Sequence, residues 1–206
     1  MTQVSLSALV AGALSGKLVS FPTDTVPALA ARPDCSELVF AAKRRPPEKP
    51  LILMAASPQS LWSFVKGSAA ELEIWQQVAQ QYWPGALTLV LPASAQVPEA
   101  MNPTDPTTIG LRIPDLSIAI AILSQTGPLA TTSANFSGEP PSQTMAEVEV
   151  LFPQALTLET KELETLKLVK AGVPSTVVKW KGSNWEVLRQ GGVRLAISAP
   201  SKNIQD

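Results

Sequence analysis

Residues 34–54 read DCSELVFAAKRRPPEKPLILM, and the order of chemistry in that stretch decides the fold class. Asp34 with Glu37 three residues later has the form of a capping box, and Leu38, Val39 and Ala42 then recur at helical spacing. The helix runs into a basic knot, Lys43-Arg44-Arg45, and Pro46-Pro47 stops it. Residues 51–54 follow as an unbroken apolar run, which reads as a buried strand. Helix, basic loop and buried strand in succession are the unit of an α/β protein.

The flanking sequence repeats that alternation. Upstream, Leu6, Leu9, Val10, Ala13 and Leu14 recur at helical spacing before Gly16, and residues 18–21 form a β-prone run stopped by Pro22. A signal peptide would carry bases before such an apolar stretch, whereas the first base here, Lys17, comes after it. Downstream, Ser57-Pro58 and Ser68 with Glu71 open two more helices, the second presenting Leu72, Trp75, Val78, Ala79 and Tyr82 on one face. Pro84-Gly85 makes a turn, residues 86–91 read as a central strand, and 93–107 as a loop rich in Pro, Ser and Asn. A strand at 109–113, a helix at 116–123 and a strand at 129–132 follow, and then a polar loop leads to a capping box at Thr144 and Glu147. Short strands are expected at 155–158, 166–169, 176–180 and 185–188, the last two joined as a hairpin. Interleaved helices plus a hairpin predict a single α/β domain over residues 1–200, built on a twisted mixed parallel and antiparallel sheet with flanking helices. Residues 201–206 read as a disordered tail.

Composition excludes more than it suggests. The 206 residues hold no His and one Cys, Cys35, so His-based triads, Cys-His dyads, His-containing zinc sites and an intrachain disulfide are ruled out. A chain without a disulfide fits a reducing compartment, and the cytoplasm is the expectation. Lys+Arg of 16 against Asp+Glu of 17 leaves a net charge of −1, so bulk charge gives no grip on nucleic acid. No apolar run approaches the roughly 18 residues of a membrane span. Gly12 to Lys17 ends in Gly-Lys but has the wrong spacing for a phosphate-cradling loop, and no Gly-x-Gly-x-x-Gly occurs.

What remains is a set of loops at strand ends that hold bases and hydroxyls: Thr23-Asp24-Thr25, Lys43-Arg44-Arg45 with Lys49, Arg112, residues 131–135, Ser142, Ser175-Thr176 and Arg189. Ligands of open α/β sheets bind at such loops. Guanidinium, ammonium and hydroxyl groups stabilise phosphoryl charge without His or Cys, so phosphoryl or adenylyl transfer fits the inventory. Plainer readings stand beside this one. The basic knot at a helix C-terminus could simply be solvated and favoured by the helix dipole. Arg112 interrupts an apolar run in a charge-poor chain and needs an anion, which a structural pair with Asp115 could supply. The Thr, Ser and Asn loops could be turn and capping chemistry, as could Asp24. The five tryptophans read as packing, and Cys35 as an inert thiol rather than a helix-activated one.

Taken in order, these segments resemble the YrdC-like family of threonylcarbamoyl-adenylate synthases from about Gly16 to Gly192. The resemblance rests on Phe21-Pro22-Thr23-Asp24-Thr25-Val26, Lys43-Arg44-Arg45-Pro46, Lys49-Pro50-Leu51, Trp83-Pro84-Gly85-Ala86-Leu87-Thr88, Arg112 with Pro114, Ser133-Ala134-Asn135 with Ser137-Gly138, Ser175-Thr176-Val177-Val178 and Leu188-Arg189-Gln190-Gly191. It implies a nucleotidyltransferase that condenses L-threonine, bicarbonate and ATP into threonylcarbamoyl-adenylate and pyrophosphate. Magnesium would accompany the phosphates, and a downstream transferase system would place the threonylcarbamoyl group on tRNA. By the same resemblance Lys43, Arg45, Lys49, Thr108, Ser133, Asn135, Ser142 and Arg189 fall where the family holds ATP, with Lys43 and Arg45 the catalytic pair. Thr25, Arg112, Thr131 and Ser175 fall where it holds threonine. No protein-held metal site is implied.

The sequence departs from the family in three places. Val26-Pro27-Ala28-Leu29 stands where Val-Tyr-Gly-Leu is usual, and Pro140-Pro141 lengthens the loop before Ser142. No counterpart of the additional C-terminal domain of longer members is read. The altered first motif motivates a rival reading, an RNA-binding module (tRNA or double-stranded RNA) of the same fold without the chemistry. A relative that adenylates a different carbamate or carboxylate is a third.

Overall fold

The computed structural model describes residues 2–159 and 172–196. Its elements in chain order are β1 (Gln3–Val4), α1 (Leu6–Leu14), β2 (Val19–Phe21), β3 (Ala28–Ala31), α2 (Glu37–Lys43), β4 (Ile52–Met54), α3 (Ala69–Tyr82), β5 (Leu87–Pro92), β6 (Thr108–Arg112), α4 (Ser117–Thr126), β7 (Leu129–Ser133), α5 (Met145–Leu151), β8 (Thr157–Leu158), β9 (Thr176–Trp180) and β10 (Trp185–Arg189). One eight-stranded sheet runs in the order β10-β9-β5-β6-β4-β7-β3-β2, and β1 pairs with β8 beside it. Within the eight-stranded sheet β4 lies parallel to β6 and β5 to β9, whereas the other neighbours are antiparallel; β1 and β8 are parallel. The mixed α/β sheet and the β9–β10 hairpin are those the sequence predicts.

Each strand splits its residues between two faces, as the two-residue period requires. On one face Leu29, Leu53, Leu87, Leu89, Leu91, Ile109 and Leu111 pack with Trp75 of α3, Val39 of α2 and Val148 of α5. On the other, Leu9, Val10 and Ala13 of α1 and Ile118, Ala119 and Ile122 of α4 cover Val19, Phe21, Ala28, Ala30 and Leu129. The second layer covers the β2-β3-β7 side of its face and reaches Met54 of β4, leaving the far ends of β7 and β4 open. The uncovered remainder, running from β9 to β7, is the floor of the pocket described below.

Local signals held where the side chain had no better partner. Ser68 accepts from Glu71 N and Glu71 reaches back to Ser68 N, a complete capping box. At Thr144 the cap forms, but the Glu147 carboxylate takes Gln143 N instead. The box at Asp34 is absent: Asp34 sits in a 3-10 turn and is held by the Arg32 guanidinium at 2.5 and 2.9 Å, so α2 starts at Glu37 without a side-chain cap. Ser57-Pro58 opens two 3-10 turns rather than a helix. β3 is a strand that the Pro-rich sequence before it concealed. The expected strand at 166–169 and the tail at 201–206 lie outside the described residues. No described helix is long and apolar enough to cross a membrane.

Candidate functional site

Alternate residues of five neighbouring strands face one cavity of about 570 Å³: Val177 and Lys179 of β9, Thr88 and Val90 of β5, Thr108, Gly110 and Arg112 of β6, Ile52 and Met54 of β4, Thr131 and Ser133 of β7. Gly110 keeps the middle of this floor open, since a Cβ there would lie 2.7 Å from Ile52 Cγ2 and 3.4 Å from Thr88 Cγ2. Thr108 and Arg112 mark the two ends of β6. They stand about 13 Å apart at ~3.3 Å per strand residue.

At the Arg112 end the loop after β2 folds back over the sheet. Arg112 is 4% exposed. Its Nη2 donates to Asp24 Oδ1 at 2.6 Å, Nη1 to Thr25 Oγ1 at 2.8 Å and Nε to the Gly85 carbonyl at 3.1 Å. The anion the sequence calls for is therefore Asp24, not Asp115, because the loop at 22–27 brings Asp24 beneath the end of β6. Thr25 is held in turn by Thr23, 3.0 Å away, whose hydroxyl donates to Val26 O. Ser175 Oγ lies 2.9 Å from Thr88 Oγ1, and Arg189 clasps the Ser175 carbonyl through Nε and Nη2 at 3.1 and 2.9 Å. Burial is the main influence on Arg112 and lowers its pKa, Asp24 pulls it back up, and nearby Arg189 lowers it further.

The opposite end is made by loops. Arg45, at the pocket wall, donates to the carbonyls of Lys49 and Pro50 at 2.7 and 2.9 Å, and burial brings its pKa down to about 10. Lys49 Nζ reaches Ser137 Oγ at 3.3 Å. Asn135 donates to Phe136 O and Glu139 O, which folds residues 135–139 into a compact loop, and Ser133 Oγ donates to Asn135 Oδ1 at 2.6 Å. Asn102 Nδ2 ties down Thr108, and Asp105 is held ionised chiefly by Thr107, with Thr108 and Lys179 adding to it.

Ten of the twelve residues expected at the site line this one cavity: Thr25, Arg45, Lys49, Thr108, Arg112, Thr131, Ser133, Asn135, Ser175 and Arg189. Lys43 and Ser142 do not. Lys43 is fully buried rather than solvated, so the surface reading of the basic knot fails for it. Its Nζ donates to Ser133 O and, at 3.3 Å, to Asn135 Oδ1, while its own carbonyl accepts from Ser137 N. Burial first, then Arg45 and Lys49, brings its pKa down to about 7. Ser142 Oγ is buried without a hydrogen-bond partner, and Ser142 N donates to Ala134 O. Arg189 stands with the Arg112 group through Ser175, away from Arg45 and Lys49.

The sequence reading assigned no site role to Thr88, Asn102, Asp105 or Lys179, and left Asp24 to turn and capping chemistry. Lys179 had a signal, since it interrupts an apolar strand as Arg112 does. Asn102 and Asp105 sit in a loop whose composition marks only a loop. Pro27 and Ala28 fit the fold without distortion: Pro27 O accepts from Ala134 N, and Ala28 pairs with Phe21 and Ser133. The tryptophans are packing, as in the stacked pair Trp62–Trp83 and the edge contacts of Trp180 with Trp75 and Trp185. Burial pushes the Cys35 thiol up, which fits an inert group.

A family model described as telomere recombination, the Sua5/YciO/YrdC domain, matches residues 13–191. The chain belongs to this family. It is 35% identical over 184 residues to the threonylcarbamoyl-AMP synthase of Pyrococcus abyssi, covering 87% of this chain and 52% of that protein. Against the threonylcarbamoyl-AMP synthase of Yersinia enterocolitica it is 31% identical over 158 residues, covering 75% and 82%. The chain thus spans about half the length of the first relative and most of the second. The solved structure of P. abyssi Sua5 complexed with L-threonine superposes with a TM-score of 0.77 at 32% identity, covering 91% of this chain and 54% of that one.

Proposed function

We propose that this chain is a threonylcarbamoyl-AMP synthase. The observation that carries the reading is the division of one sheet-face pocket into two chemistries, a buried and fixed guanidinium among hydroxyls at one end and cation-bearing loops at the other. The resemblance to synthases, one of them named as a complex with L-threonine, supports it.

In this reading Arg112 receives the threonine carboxylate as a fork, with the hydroxyls of Thr25, Thr131 and Ser175 choosing the amino acid. Arg45, Lys49, Thr108, Ser133 and Asn135 hold ATP, and Arg189 screens the phosphates next to the amino acid. Lys43 and Ser142 act from behind the end of β7 and the loop after it, which carry Ser133 and Asn135. The threonine nitrogen forms a bond to the carbon of bicarbonate with loss of water. An oxygen of the resulting carbamate then attacks the α-phosphorus of ATP, and the bond to pyrophosphate breaks. Positioning two substrates on one floor and screening the leaving charge are the protein's share of that chemistry.

Among the described residues no three His, Cys, Asp or Glu side chains gather as a metal site. Glu48 and Asp105 are acids at the pocket. That is too few for a protein-held cage but fits magnesium arriving on the phosphates, where it would offset their charge. A cytoplasmic setting and a downstream transferase that moves the product's threonylcarbamoyl group to tRNA go with this reading. The RNA-binding alternative gains no support: Arg45, Lys49, Arg112 and Arg189 turn into a cavity, and the tryptophans pack.

Pyrophosphate release with ATP and magnesium tests the proposal. It is expected to need both bicarbonate and L-threonine and to fall sharply with L-serine. Release indifferent to threonine, or none from folded protein that binds ATP, overturns it.

A further inference from the structure

Asp24 does not line the cavity. It stands behind Arg112, with side chains 11% and 5% exposed and 2.6 Å between Oδ1 and Nη2. The other ion pairs among the described residues, Arg32–Asp34, Lys179–Asp105 and Lys181–Glu186, are far more exposed. A guanidinium has five N–H groups. Three of Arg112's are taken by Asp24, Thr25 and Gly85, which leaves one on each terminal nitrogen for a ligand in the pocket.

The local charge balance matters because the pocket must seat two kinds of anion close together. Arg189 is tied to Ser175, which bonds Thr88 on the strand beside β6, so phosphates screened by Arg189 would lie next to the Arg112 seat. A bare buried guanidinium attracts a polyphosphate more strongly than a monocarboxylate, since attraction grows with ligand charge. Backed by a carboxylate, the same fork is neutral overall. It keeps the geometry to bind a carboxylate through two hydrogen bonds, while a second or third negative charge meets Asp24 as a like charge at close range.

We infer that Asp24 is a positioning and specificity-determining residue: it fixes the Arg112 fork and keeps polyphosphate out of the seat that takes the amino acid's carboxylate. The inference rests on the reading above that the Arg112 end seats the amino acid. Asp24 touches no substrate and acts through Arg112.

The test is calorimetric titration of the full chain with L-threonine, with and without millimolar pyrophosphate. Wild-type protein should bind threonine with a Kd that pyrophosphate changes by less than about twofold, because the two ligands have separate seats. In Asp24→Asn the exposed fork admits pyrophosphate, and the apparent Kd for threonine should rise about tenfold or more as pyrophosphate is added. Asp24→Glu keeps the charge and should restore independence, which a merely structural loss would not do. Independence retained in folded Asp24→Asn overturns the inference and leaves the synthase reading intact. Competition by pyrophosphate in the wild type overturns it even if Asp24→Asn does not fold. Wild-type protein that binds no threonine overturns the synthase reading, and this inference with it.

Discussion

Two cations are buried at opposite ends of the pocket, and the protein treats them differently. Arg112, 4% exposed, faces a carboxylate, whereas Lys43, with no exposure, faces only neutral oxygens, those of Ser133 and Asn135. A carboxylate partner favours the charged form of a buried base, and neutral acceptors do so far less. The Arg112 end is therefore built with a constant charge. At the other end Lys43 sits with Arg45 and Lys49 nearby and no carboxylate among its partners, so its charge yields to burial and its pKa is drawn down to about 7. A buried ion pair fixes geometry, while a buried lone amine ties a loop down in a way that pH can alter.

The sharpest way to break this contrast is to remove one half of the pair. Arg112→Met leaves the Asp24 carboxylate nearly buried and unpaired, and breaking such a pair costs ~3–5 kcal/mol. We expect a loss of stability of that size in urea unfolding, together with loss of threonine-dependent turnover. Adding Asp24→Leu should recover much of the stability and none of the turnover, because the stranded charge is gone but the fork is not restored. Little change in unfolding midpoint for Arg112→Met alone would mean that the pair contributes no fixed geometry.

Lys43 gives the second effect, through pH. Its folded pKa of about 7 lies below the 10.5 of an ordinary lysine. Below the lower value folded and unfolded chains both carry the proton, and the cost of burying the ammonium is felt in full. As pH rises above it the folded chain sheds the proton while the unfolded chain keeps it, so this group makes the protein more stable with rising pH. The unfolding midpoint should climb between pH 7 and 9 in the wild type and climb less in Lys43→Met. Equal slopes in the two proteins would assign the climb to another group.

How much of this was legible in the sequence depends on how local each cause is. Strands such as β9 and β5 and the cap at Ser68 were legible because period-two apolarity and a hydroxyl three residues before its acid act within a few residues. Asp34 misled because Arg32, two residues away, offered its carboxylate a charged partner that a backbone N–H could not match. At the site, Arg112 announced its need for an anion, since a base amid Ile109, Leu111 and Ile113 must meet one. Which anion was not legible. Asp115 is three residues away and Asp24 is 88, and only the loop over the sheet decides between them. Lys43 was misjudged for the same reason, because the loop at 133–137 that buries it comes from a strand some 90 residues on.

Lys49 supplies the smallest effect and the cleanest comparison. Its ammonium reaches Ser137 Oγ at 3.3 Å in an exposed setting, so it adds little to the fold. Lys49→Met should change stability by less than ~0.5 kcal/mol. If the ammonium meets a phosphate, losing that charge-assisted bond, worth ~1.5 kcal/mol, raises KM for ATP about tenfold. A contact made equally with substrate and transition state leaves kcat within about twofold. Steady-state kinetics beside urea unfolding then separates the two ends: at Arg112 stability and binding fall together because one ion pair serves both, and at Lys49 binding falls alone. A Lys49→Met protein as unstable as Arg112→Met would mean that the phosphate loops, too, are held by their charges, and the two ends would differ only in which anion they await.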